Sequence, residues 1–106
     1  MLEFAAKAAG YKLVWKDGYC KGGAFSGAFI DGKDMAWNPR ADDGDALRLA
    51  VKMGFLVDTH GMHARVCFPY EAPIAYETKG SDPCATTRLA ITRAAAEIGK
   101  NMEDVK

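Results

Sequence analysis

Hydrophobic and polar positions alternate in two different rhythms along the chain, and the change of rhythm marks its elements. Residues 2–9 are alanine-rich, with Phe4 and Ala8 four apart and Gly10 placed to end the segment, which predicts a short first helix. From residue 11 to 16 the pattern switches to strict alternation. Tyr11, Leu13 and Trp15 fall on one side and Lys12, Val14 and Lys16 on the other, as in a half-buried strand. Asp17-Gly18 follows and reads as a hairpin turn, because both residue types tolerate positive φ, with a second strand expected near residues 18–20. Residues 22–36 combine several glycines with Phe25, Phe29 and Ile30 and a second turn dipeptide, Asp31-Gly32. This predicts short strands or an ordered glycine-rich loop.

Helical rhythm returns at residues 45–53. Ala46, Leu47, Ala50, Val51 and Met53 are expected to form the buried stripe, Arg48 and Lys52 to face water, and Gly54 to stop the helix. Asp42, Asp43 and Asp45 stand at its start, where carboxylates accept hydrogen bonds from unpaired backbone N–H groups and suit the positive end of the helix dipole. Residues 55–60, 63–68 and 74–78 then read as three strands joined by Gly61-Met62 and the 69–73 segment, so antiparallel pairing of neighbours is the economical topology. The last helix is predicted over residues 82–99. Asp82 is its cap, Pro83 its first helical position, and Cys84, Thr87, Ile91, Ala94, Ala95 and Ile98 its inner stripe. Residues 101–106 are expected to form a disordered tail.

The sum is an α+β chain with a single domain over residues 1–100. A mainly antiparallel sheet of about four to six strands would pack with two longer helices and a short N-terminal one, as a layered α/β sandwich. A length of 106 residues suits one core. Lys and Arg (14) balance Asp and Glu (14), so there is no overall pull toward nucleic acid or an anionic membrane. Five basic residues, Arg40, Arg48, Lys52, Arg88 and Arg93, would bind nucleic acid only if they clustered on one face. Cys20, Cys67 and Cys84 are odd in number and widely spaced. With no export signal and no membrane-spanning run in view, reduced thiols and a cytoplasmic setting are expected.

Three patterns touch on chemistry. Residues 27–34 match the first seven positions of the phosphate-cradling G-x-x-x-x-G-K-[ST] loop but place Asp34 where the metal-binding hydroxyl belongs, and Pro39 follows too soon for the required helix. His60, His63 and Cys67 supply three potential metal ligands within eight residues, though His60 and His63 flank a turn and a fourth ligand would have to come from afar. Cys67 with a histidine as nucleophile and base is the covalent variant of the same cluster. The carboxylates Asp58, Glu71, Glu77 and Glu97 form no identifiable catalytic pair, and no cofactor is implied.

Two motifs carry a resemblance: Trp37-Asn38-Pro39 followed by residues 42–52, and the later Thr87-Arg88-Leu89-Ala90-Ile91-Thr92-Arg93-Ala94-Ala95-Ala96. In that order, across a short three-strand spacer, they resemble small bacteriophage and prophage proteins of the phage ABA-sandwich domain type. The resemblance covers roughly residues 37–99 and leaves the glycine-rich segment outside. It implies a layered α/β fold and a phage-encoded accessory protein in the host bacterium's cytoplasm, with no family activity to carry over. The expected mode of action is binding a macromolecular partner, a protein such as a host or defence component or a second copy of the chain. An enzyme using His60, His63 and Cys67 to hold a metal or small ligand is the alternative.

Overall fold

The computed structural model describes residues 1–20, 23–32 and 36–104. The elements run α1 (Leu2–Ala9), β1 (Leu13–Cys20), β2 (Gly23–Ile30), α2 (Asp43–Met53), β3 (Leu56–Asp58), β4 (His63–Cys67), β5 (Ala75–Thr78) and α3 (Pro83–Asp104). The α+β class expected from the rhythm of the sequence is the one observed. The strands divide between two antiparallel sheets, β1-β2 and β3-β4-β5, in place of one sheet of four to six strands.

The first hairpin departs from expectation. Asp17-Gly18 lies inside β1, opposite Ser26 and Phe25, and pairing continues to Cys20 opposite Gly23. A two-residue turn at Asp17-Gly18 would have set Lys16 against Tyr19 and left β2 without a partner. The longer register instead pairs Leu13 with Ile30 and Val14 with Phe29. Its connecting residues, 21–22, lie outside those described. The turn at Asp31-Gly32 is present, with Gly32 at φ 86°, and the chain then returns to β2 through an isolated bridge of Ala36 to Phe29.

Both capping expectations are met. Asp42 accepts from the Asp45 N–H at 2.8 Å and starts α2, which ends at Gly54 in the left-handed region (φ 71°). Asp82 accepts from the Ala85 N–H at 3.0 Å and starts α3. That helix continues past Gly99 to Asp104, so residues 101–104, expected in a tail, are helical.

α1 lies across the C-terminal half of α3, and Gly99 is what allows it. A β-carbon at Gly99 would sit 1.8 Å from the Phe4 carbonyl oxygen, so only a residue without one fits beneath α1. Alanines build the rest of the contact: Ala5, Ala6 and Ala9 on α1 and Ala90, Ala94 and Ala95 on α3 are all buried in one core cluster. Leu49, Val66, Trp37 and Ile91 add its larger side chains. α3 also covers β4 and β5, whereas β3 is an edge strand of that sheet. The molecule is thin, 40 × 39 × 17 Å between Cα atoms, with α3 layered on β4 and β5.

Candidate binding surface at α2, β3 and α3

The face that α2 buries keeps Ala46, Ala50 and Met53 of the expected stripe but is rotated relative to it. Ala46, Leu49, Ala50 and Met53, at i, i+3, i+4 and i+7, point into the core, and Leu49 is fully buried. Leu47 and Val51, expected inside, are 63% and 73% exposed. Leu49 takes the inner position because Asp42 and Asp45 fix the helix's rotation. Asp42 caps the first turn, and the Asp45 carboxylate accepts from the Asn38 N–H at 2.9 Å, tying that side of α2 to the incoming chain. Leu47 and Val51 are thereby left one turn apart on the outer surface. Leu56, half exposed at the start of β3, extends the apolar run along the chain.

Beside this stripe lies a groove of about 480 Å3, lined by Ala46, Leu47 and Ala50 of α2, Val57 of β3 and Thr87 and Ile91 of α3. Its origin is steric. α2 and α3 meet near the edge strand β3, and the alanines and threonine lining the groove are too short to fill it. Charged residues border it. Arg88 donates to the Arg40 carbonyl at 2.9 Å and to Asp43 at 2.5 Å, and the Asp43 contact pushes the guanidinium pKa further up. Lys79 donates to the carbonyls of Thr59 and Gly61. Cys84 also lines the groove as an exposed free thiol, contrary to its expected place on the inner stripe of α3.

The histidine and cysteine cluster is not assembled. His63 and Cys67 occupy one face of β4 four residues apart, a span of about 13 Å at strand rise, whereas zinc holds its ligands at about 2.0–2.3 Å. His63 stacks on Tyr76 with ring centroids 4.4 Å apart, and His60 is exposed beyond β3, its backbone N–H donating to Asp58 at 2.9 Å. Among the described residues no three His, Cys, Asp or Glu side chains are placed to hold a metal ion. Neither imidazole is hydrogen-bonded to Cys67, so that pair has no nucleophile-and-base geometry. Asp58 is held below the usual carboxylate range, first by the His60 N–H and then by Arg65, with which it forms an ion pair across the strands.

Other motifs resolve into structure. Gly27 lies within β2 and among the described residues no helix follows until Asp43, which argues against the phosphate-loop reading of residues 27–34; Lys33 and Asp34 of that motif lie outside the described residues. Three of the five basic residues are neutralised: Arg48 by Asp45, Arg88 by Asp43 and Arg93 by Glu77. Lys52 sits 6.0 Å from the Tyr11 ring centroid. Of the aromatic residues, Phe29 and Trp37 are core while Trp15, Tyr70 and Tyr76 are exposed. Sequence reasoning missed Lys79 and the groove. Lys79 follows a strand as an ordinary polar residue, and only the pairing of β5 with β4 brings it back to the 59–61 turn. No helix among the described residues is long and apolar enough to cross a membrane. No family model, curated protein or solved structure matches the chain.

Proposed function

We propose that the chain is a small accessory protein, of the phage or prophage kind its motifs resemble, that acts by docking another protein against the outer face of α2. The observation that supports this is the pair Leu47 and Val51, exposed one turn apart and bordered by an apolar groove. The core side of α2 is already filled by Ala46, Leu49 and Ala50, and the two outer side chains stand mostly in water. Covered by a partner, each would contribute about 1.5–3 kcal/mol from loss of apolar surface to water. Arg48, Arg88 and Arg93 are each ion-paired, which favours a protein partner over nucleic acid. On this reading the partner is a host or defence component in the bacterial cytoplasm.

Affinity capture from bacterial lysate provides the test, with three baits side by side: wild-type chain, Leu47→Lys/Val51→Lys, and Lys12→Glu as a charge change outside this face. A protein retained by wild type and Lys12→Glu but lost from the double variant supports the proposal. Identical capture by all three overturns it.

A further inference from the structure

We propose that the groove between α2, β3 and α3 is a site for a small amphiphile, a ligand with an apolar body and one anionic head group such as a medium-chain carboxylate. Two independent features point to that chemistry. The lining is apolar where Ala46, Ala50, Val57 and Ile91 meet, and the volume of about 480 Å3 lies in the range of small-ligand sites. At one side stands a cation without a counter-ion. Lys79 is half-buried, its ammonium fixed by the carbonyls of Thr59 and Gly61, the latter at 3.0 Å. An ammonium has three donors, so one is left for an acceptor. No carboxylate pairs with Lys79 among the described residues, whereas Arg88 on the same lining is already matched by Asp43. The lining therefore carries an uncompensated positive charge. A carboxylate satisfies it with a charge-assisted hydrogen bond, a neutral ligand leaves it unpaired, and a cationic ligand is repelled.

The groove shares Leu47 with the proposed protein-binding face, whereas Val51 lies outside its lining, and the ligand experiment is read with no partner protein present. The probe is decanoate below its micellar concentration, added to the full chain and followed by amide NMR shifts, with decanol and decylammonium as matched tails. Saturable shifts centred on Ala46, Ala50, Val57, Thr59 and Ile91 are expected with decanoate. Binding of decanol should be weaker by about tenfold or more, and decylammonium should not bind. Lys79→Gln should bring decanoate down to the affinity of decanol. Cys84→Trp places bulk at an exposed lining position without entering the core, and should block both ligands in a folded protein. Absence of saturable shifts, shifts centred elsewhere, equal affinity for decanoate and decanol, or unaltered binding by Cys84→Trp would each overturn the proposal.

Discussion

Replacing Gly99 with alanine sets two physical effects of opposite sign against each other, and the structure says which wins. In an exposed helix interior the change gains about 1 kcal/mol, because alanine restricts the unfolded chain and exposes less backbone. Gly99 is instead buried under α1, where the added β-carbon would lie 1.8 Å from the Phe4 carbonyl oxygen, 2.6 Å from its carbonyl carbon and 3.0 Å from its Cα. These are backbone atoms and cannot rotate away. α1 must retreat as a body, which opens the contact of Ala5, Ala6 and Ala9 with α3. An eight-residue helix has little stability of its own, so a displaced α1 also tends to fray. Overpacking typically costs about 1–3 kcal/mol, and this clash belongs to the upper part of that range, about 2–3 kcal/mol, since no side chain can absorb it; less the propensity gain of about 1 kcal/mol, the expected net loss is about 1–2 kcal/mol. Urea denaturation measures it, and amide exchange should show faster opening confined first to α1. Gly80→Ala is the control, because that position has no positive φ and nothing within 4 Å of an added β-carbon. A Gly99→Ala protein as stable as wild type, or more so, would refute the close approach.

The corrected face of α2 gives a paired test: Leu49→Ala should cost about 2–5 kcal/mol, while Leu47→Ala should stay within about 0.5 kcal/mol in the same denaturation assay. Tyr70 occupies the third position of a turn that begins at Phe68, after Pro69 and with φ 65°, closed by the Glu71 N–H to the Phe68 carbonyl at 3.1 Å. That is the glycine position of a type II turn and the side chain is fully exposed, so Tyr70→Gly should stabilise the fold by about 0.5–1 kcal/mol. Asp82→Ala should lose about 0.5–2 kcal/mol with its cap, and Asp82→Asn clearly less, because the amide oxygen still accepts from the Ala85 N–H. The Asp58 carboxyl should titrate below the usual carboxylate value in an NMR pH series. Its contribution to stability is present above the ordinary carboxylate pKa and lost as pH falls through the lowered one, and Arg65→Ala should restore only part of the shift because the His60 N–H is the larger cause.

What could be read from the chain was local. Caps at Asp42 and Asp82, the stop at Gly54 and the β3-β4-β5 meander follow from contacts spanning a few residues, and the sequence pattern located them to within a few positions. The long register of β1-β2 was hidden because it depends on which residues oppose Phe29 and Ile30, and Asp17-Gly18 offered a plausible nearer turn. Leu47 and Leu49 differ by only two positions in a helix with apolar residues on several sides, so rotation was decided by Asp45 reaching Asn38, a tie outside the helix. The groove was invisible for a similar reason. It lies between residues of α2, β3 and α3 that are distant in sequence, and a missing contact leaves no mark in a sequence.

On the proposed function, Leu47 and Val51 are apolar for the sake of a partner and not of the fold. The most direct measurement of this is made on one protein pair: the folding free energy of the Leu47→Lys/Val51→Lys chain, and its calorimetric affinity for the protein captured by wild type. Stability within about 0.5 kcal/mol of wild type per substitution and binding weakened by about a hundredfold or more are expected. A double variant that binds as tightly as wild type, or that loses several kcal/mol of stability, would contradict the proposed function.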